Sequence, residues 1–247
     1  MFQVYSGGIM DILFMAAAVI ITYLIGSIPF GLLIGKMYGV DVRTVGSKNI
    51  GATNVTRTVG KTAGKVCFFL DFIKGALPVL AIQLYGRKFI EDQPDWLVLV
   101  VMTAAIVGHM FPIFLKFKGG KGVSTAAGAI VALAPYPLLV AFIVWVVMFF
   151  ISRYVSVASI TAAVVLSVVA WIFRWTNFGS EVARSTWTLC FLTAISLLTV
   201  IRHHGNIRRL LNGTETRFGK TKDEKSADAF EDAGAEADEN DDAEDKN

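Results

Sequence analysis

The chain has 247 residues, of which 54% are hydrophobic and 17% charged, and its mean hydropathy is +0.58. That balance excludes a disordered or fibrous protein and almost any soluble enzyme. The formal net charge of +3 hides two unlike parts: residues 220–247 carry 12 acids and 4 lysines, a net of −8, and the rest of the chain a net of +11.

A helix needs roughly 20 apolar residues to cross the hydrocarbon layer of a bilayer. In chain order, runs near that size cover 12–35, 66–86 (interrupted by Asp71 and Lys74), 96–115, 122–152, 154–173 and 185–201. The first is no signal peptide, because no basic segment precedes it, it is too long, and apolar runs continue after it. The run 122–152 is too long for one span, since a straight helix of that length measures about 46 Å. Ala134-Pro135-Tyr136-Pro137 breaks it and predicts a hairpin of helices near 123–133 and 138–152, because proline ends helices. The sequence therefore predicts an all-α integral membrane protein with seven transmembrane helices.

Basic residues set the orientation. Segment 36–65 carries Lys36, Arg43, Lys48, Arg57, Lys61 and Lys65; segment 116–121 carries Lys116, Lys118 and Lys121; Arg153 follows, and 202–217 adds Arg202, Arg208, Arg209 and Arg217. The alternate connections have fewer basic residues or balance them: Arg87 and Lys88 face Glu91, Asp92 and Asp95, and Arg174 and Arg184 flank Glu181. The expectation is an N-terminus outside and a C-terminus in the cytoplasm. Residues 1–219 then form the membrane-embedded domain, and 220–247 an acidic cytoplasmic tail that is disordered by composition. Cys67 and Cys190 lie in apolar runs without metal-ligand spacing and read as small packing residues.

Five segments on the basic side carry the chemistry. The first runs from Gly46-Ser47-Lys48-Asn49-Ile50-Gly51 through Ala52-Thr53-Asn54-Val55-Thr56-Arg57. Gly and Asn allow turns that aim successive N–H groups at one point, which suits an anion. An ordinary positive-inside loop explains its cations but not its Ser, Asn, Thr and Gly. The second, Phe117-Lys118-Gly119-Gly120-Lys121-Gly122-Val123-Ser124-Thr125, opens a predicted helix, and helix N-termini favour phosphate. It fails the nucleotide-binding P-loop pattern, with Leu115 where a glycine is required and Gly122 after Lys121. The third comprises ionisable groups within spans: Asp71 and Lys74, placed i,i+3 to neutralise each other, and His109, which reads equally as a packed residue. The fourth places Ser156 and Ser159 on one face at a helix start, where a capping serine is the plain alternative. The fifth, 202–215, holds His203, Asn206 and Glu215 beside basic residues that attract anionic lipid.

Together these describe a membrane protein that handles phosphorylated, lipidic molecules at its cytoplasmic face. No His-x4-Asp pair, GxSxG elbow or metal-spaced cluster is present in the sequence. An enzyme and a transporter of phosphate esters or other organic anions fit the residues about equally.

The segments GSKNIGATNVTRTVGK (46–61), LDFIKG (70–75), GHMFPIFLKFKGGKGVST (108–125), RYVSVAS (153–159) and RHHGNIRRLLNGTE (202–215) resemble, in that order, the bacterial acyl-phosphate:glycerol-3-phosphate acyltransferase family (PlsY). Lys48 and Ile50 stand where Gly and Pro are common, and Ser124 where Ala is common. The acidic tail lies outside the family pattern. The resemblance implies transfer of a fatty acyl group from acyl phosphate to the 1-hydroxyl of glycerol 3-phosphate, giving lysophosphatidic acid and phosphate. It implies a seven-span monomer of the bacterial inner membrane with acyl phosphate, glycerol 3-phosphate and membrane lipid as partners. No metal, cofactor, acyl thioester or nucleic acid is expected. By motif position, Arg57 and Lys121 hold the glycerol 3-phosphate phosphate, and Ser47, His203 and Asn206 orient its hydroxyls. Asn49, Gly51, Ala52, Thr53 and Asn54 shape the acyl phosphate pocket, Ser156 or Ser159 lines it, and Glu215 supports it. The base is either His203 or a substrate phosphate.

Overall fold

A computed structural model describes residues 8–90, 93–176 and 181–218. Among them no strand occurs. The helices are α1 (Ile9–Ser27), α2 (Phe30–Met37), α3 (Ala52–Thr58), α4 (Lys61–Phe89), α5 (Trp96–Met110), α6 (Val123–Leu133), α7 (Pro135–Ser152), α8 (Val155–Phe173), α9 (Thr186–Arg202) and α10 (His204–Leu211). Among the described residues five stretches are long and apolar enough to cross a membrane, and a sixth counts if α9 and α10, bent by 50°, form one span. Large apolar side chains cover the outer faces, as on α7, where Leu139, Phe142, Ile143, Val147, Phe150 and Ile151 are all exposed. A helix apolar on its outer face needs lipid as its solvent.

Several expectations need correction. The first span is broken at Ile28–Pro29, because proline leaves the helix without a donor. Helix α7 starts at Pro135 rather than near 138, since first-turn N–H groups need no intrahelical partner and proline is tolerated there. The segment 46–57 is not all loop: α3 begins at Ala52, so Arg57 stands on a helix. Helix α4 begins five residues before its apolar run, at Lys61. Cys67 is buried as expected, whereas Cys190 lies on the exposed face of α9. The first seven residues, Glu91, Asp92 and the acidic tail lie outside the described residues.

Small residues let the helices approach closely. A Cβ on Gly26 would overlap the Ala105 carbonyl and one on Gly108 the Tyr23 carbonyl, which fixes α1 against α5. Gly75 and Gly128 likewise face the carbonyls of Thr125 and Phe72, fixing α4 against α6. The main core joins Val101, Met102 and Ile106 of α5 to Ala129 and Ile130 of α6 and Leu192 of α9. A second cluster, with Leu32, Ile34, Val42, Ile50, Val55 and Cys67, underlies the 40–51 connection. Chain alternation gathers the ends of α2, α5, α7 and α9 with the starts of α4, α6 and α8 at one end of the bundle.

Candidate active site

At that end lies a cleft of roughly 820 Å³, the open space at its mouth included. All thirteen site residues expected from the sequence line it: Ser47, Asn49, Gly51, Ala52, Thr53, Asn54, Arg57, Lys121, Ser156, Ser159, His203, Asn206 and Glu215. The alternative between Ser156 and Ser159 dissolves, because both reach the wall.

The first wall is held by Asn54. Its amide donates to the carbonyls of Val42 at 2.8 Å and Val45 at 3.2 Å, and its Oδ1 accepts the Ser47 N–H at 2.8 Å. Asn49 Oδ1 closes a local turn by accepting the Gly51 N–H at 2.8 Å. Asn54 is therefore committed to the loop's shape, and Ser47 is left exposed at the mouth. Arg57 projects from α3 and donates to the Thr216 carbonyl at 3.0 Å, with its buried Nε unpartnered. Burial pulls its guanidinium down from the ordinary value, yet an arginine stays a cation.

The second wall is the turn before α6. Gly122 caps that helix with φ +80°, a left-handed conformation that favours glycine. Lys121, just before it, donates to Asn206 Oδ1. Burial lowers the Lys121 ammonium to about 8; Glu215 opposes the shift, and Arg209, Arg57 and Arg202 add to it.

The third wall comes from α8, α9, α10 and the segment after them. Glu215 Oε1 accepts from Asn206 Nδ2 at 2.7 Å and Ser156 Oγ at 2.9 Å, and Oε2 accepts from Arg209 Nε at 2.7 Å. Burial alone would raise its carboxyl pKa, but these donors together hold it below the usual range. Glu215 is thus occupied by three donors, and Arg57 and Lys121 keep capacity for an incoming anion. His203 Nδ1 lies 2.7 Å from the Thr199 carbonyl. A carbonyl only accepts, so Nδ1 carries the proton, and in the neutral ring Nε2 is a free acceptor.

Sequence reasoning missed the apolar wall. Phe68, Val123, Trp145 and Val155 line the cleft, and Trp145 Nε1 donates to Ser159 Oγ at 3.1 Å. Apolar residues in apolar runs gave no signal. Phe68, Val123, Trp145 and Ser159 also begin a second groove, roughly 790 Å³, that continues between α4, α6, α7, α8 and α9 along Ala126, Ile130, Leu138, Phe142 and Leu166. His109 lines the cleft as well.

A polar, cation-bearing cleft beside an apolar groove, in a bundle of helices long and apolar enough to cross a membrane, marks a membrane-embedded protein. The sequence model of the family described as glycerol-3-phosphate acyltransferase matches residues 16–213, and the chain belongs to that family. It is 45% identical over 202 residues to the glycerol-3-phosphate acyltransferase of Aquifex aeolicus, covering 81% of this chain and 97% of that one. It is 42% identical over 214 residues to the one from Albidiferax ferrireducens, covering 85% and 92%. Among solved structures it resembles PlsY (YgiH), an integral membrane glycerol 3-phosphate acyltransferase, in its glycerol 3-phosphate form. The TM-score is 0.72 at 43% identity, over 83% of this chain and 96% of that one. The lysophosphatidic acid form of that protein gives a TM-score of 0.69 over 83% and 95%.

Proposed function

We propose that this chain transfers a fatty acyl group from acyl phosphate to the 1-hydroxyl of glycerol 3-phosphate, releasing lysophosphatidic acid and inorganic phosphate. The observation that carries this reading is the junction of two spaces. Arg57 and Lys121 face a polar cleft, and that cleft shares Phe68, Val123, Trp145 and Ser159 as a common wall with a groove lined mainly by alanine, isoleucine, leucine and phenylalanine. A phosphate head fits the first and an acyl chain the second.

In this reading Arg57 and Lys121 hold the phosphate of glycerol 3-phosphate. Ser47, Asn206 and His203 orient its hydroxyls, and the 49–54 wall seats the acyl phosphate head. The 1-hydroxyl oxygen attacks the acyl carbonyl carbon, the carbon–oxygen bond to phosphate breaks, and phosphate leaves. The hydroxyl proton passes to His203 Nε2 or to the departing phosphate; the Nδ1 contact with Thr199 favours His203. Acyl phosphate is a mixed anhydride with a good leaving group, so positioning and charge stabilisation carry the rate without a covalent enzyme intermediate.

The same reading gives seven membrane passes, an N-terminus outside and a C-terminus in the cytoplasm. The short pass is α6, whose 11 residues rise only about 16 Å. The Gly119–Gly122 turn then sits below the membrane surface, and the cleft is a recess open to the cytoplasm. The chain acts as a monomer of the bacterial inner membrane, with residues 1–219 as the catalytic unit. A transporter of anions needs ligands along a path between both faces, whereas these cluster at one end of the bundle.

The test is direct: purified protein, acyl phosphate and labelled glycerol 3-phosphate, scored for lysophosphatidic acid and released phosphate. Product from an acyl thioester but none from acyl phosphate would overturn the donor assignment.

A further inference from the structure

Behind the turn that carries Lys121 lies a buried charged group for which the reaction above has no use. Asp71 and Lys74, one turn apart on α4, pair at 2.7 Å with both side chains 2% exposed. Lys74 Nζ also donates to the Ile28 carbonyl at 2.7 Å, at the break between α1 and α2. Asp71 Oδ1 stands 3.5 Å from Nδ1 of His109, near the end of α5. Ionisable groups at membrane depth are expensive and need a reason. The lysine and aspartate already neutralise each other, so their pairing does not explain the histidine.

The far edge of the ring gives the reason. The His109 carbonyl accepts the Gly120 N–H at 3.1 Å, and the Met110 carbonyl accepts the Gly119 N–H at 3.2 Å. A Cβ placed on Gly120 would overlap His109 Nε2 and lie 3.0 Å from both Cδ2 and Cε1; its three nearest neighbours are all atoms of that one ring. The imidazole is wedged between a carboxylate on α4 and the backbone of the phosphate-facing turn, and the buried ring forms part of the cleft wall. Gly120 is adjacent to Lys121, so the ring sets the level from which the ammonium reaches into the cleft.

We infer that His109, backed by Asp71 and Lys74, is a positioning residue for glycerol 3-phosphate, acting through Gly120 on the placement of Lys121. This rests on the assignment of Lys121 to that substrate made above. A displacement of about 1 Å in a substrate-holding group is enough to cost on the order of a hundredfold.

The coupling is read from a double-mutant cycle on KM. Gly120→Ala should raise KM for glycerol 3-phosphate about tenfold or more, because the methyl pushes the turn off the ring. His109→Ala should raise it by about the same factor through loss of support, and His109→Gln by less. In the double variant the methyl enters the space the ring vacates. Its KM should therefore fall at least about threefold below that of Gly120→Ala, where independent effects would multiply. Thermal unfolding and size exclusion check each variant, since a general loss of folded protein lowers the apparent kcat and leaves KM unchanged. If Gly120→Ala does not fold, the KM order of His109→Ala against His109→Gln decides. A double variant as impaired as the product of the singles, or equal KM for the two His109 variants, overturns the inference. A coupling that appears in KM for acyl phosphate instead overturns the assignment of Lys121 to glycerol 3-phosphate while leaving the link between His109 and Gly120 standing.

Discussion

The two glycine-bearing turns that flank the cleft are alike in sequence and held by different physics. The turn at 46–51 is tied by one side chain: Asn54 reaches back to Val42, Val45 and Ser47, while Ser47 and Lys48 themselves are exposed. The turn at 119–122 has backbone hydrogen bonds but no side-chain staple, and it is pressed in by contact, with Gly119 over the His109 carbonyl and Gly120 over the His109 ring. A turn stapled in this way tolerates change where its side chains face solvent, as at Ser47 and Lys48, but not at Gly46, where a Cβ would overlap Asn54 Oδ1, or at the buried Ile50. A turn pressed against a buried ring tolerates no added atom at its glycines, because a packed interior cannot yield locally. Each delivers one cation, Arg57 beyond the first and Lys121 on the second.

The largest effects come from removing those cations. Arg57→Ala and Lys121→Ala should each lower kcat/KM for glycerol 3-phosphate by roughly 30- to 1000-fold, the equivalent of about 2–4 kcal/mol for a lost charge-assisted contact. Arg57→Lys should recover little, since an ammonium cannot reproduce the guanidinium fork. Lys88→Ala, at the other end of the bundle, is the control and should leave turnover unchanged. If both alanine variants are defective only toward acyl phosphate, the two turns serve the donor and the roles reverse.

The staple comes next. Asn54→Leu keeps the branching but adds bulk at a fully buried position; it strands the buried Val42 carbonyl and removes the partner of the Ser47 N–H. Each buried polar group left unpaired costs about 1–3 kcal/mol. A lower melting temperature in detergent and a loss of turnover toward both substrates are expected, because the whole wall shifts. Retained stability would mean that the second core cluster, not Asn54, shapes the loop.

The two cations also differ in acid–base behaviour, which separates them by pH. Lys121 is held at about 8 by burial, with the surrounding arginines adding to the shift. Its charge is present below that value and lost above it, whereas Arg57 remains charged throughout. kcat/KM reports the free enzyme, so its value for glycerol 3-phosphate should fall as pH rises through about 8. Lys121→Arg should flatten that limb. A limb that survives in Lys121→Arg belongs to another group.

Much of the site was legible in the sequence because its chemistry is carried by polar residues in runs that should otherwise be apolar. Arg57, Lys121, His203, Asn206 and Glu215 stand out on that background, and their convergence follows once the helices alternate. What stayed hidden had no such contrast. Phe68 and Trp145 look like lipid-facing residues and become part of the cleft only through the packing of α4 on α6 and of α7 on α8. Short helices α3 and α10 have too few turns for a periodic pattern, and tertiary contacts rather than propensity stabilise them. The break at Pro29 was masked by an unbroken apolar run. The pairing of Asp71 with Lys74 follows from their spacing, but the approach of His109 to Gly120 exists only in three dimensions.

The smallest expected effect sharpens the contrast between the turns most cleanly. Lys48 has φ +57°, a left-handed backbone that costs an L residue about 1–2 kcal/mol relative to glycine. Its side chain is exposed and stays out of the cleft, whose wall takes Ser47 and Asn49 on either side of it. Lys48→Gly relieves the strain in the folded protein but frees the unfolded chain, which takes back roughly 0.5–1 kcal/mol. The net change should lie between about 0 and 1 kcal/mol of added stability, read as a small rise in melting temperature. Turnover should stay within about twofold of the starting protein, because no cation that faces substrate is removed and the Asn54 staple is untouched. Set beside Gly120→Ala, this gives opposite responses to opposite exchanges: removing a side chain from the stapled turn is harmless, and adding one to the packed turn is not. A large activity loss in Lys48→Gly would show that the lysine itself guides anions into the cleft, and the first turn would then act through its charge as well as its shape.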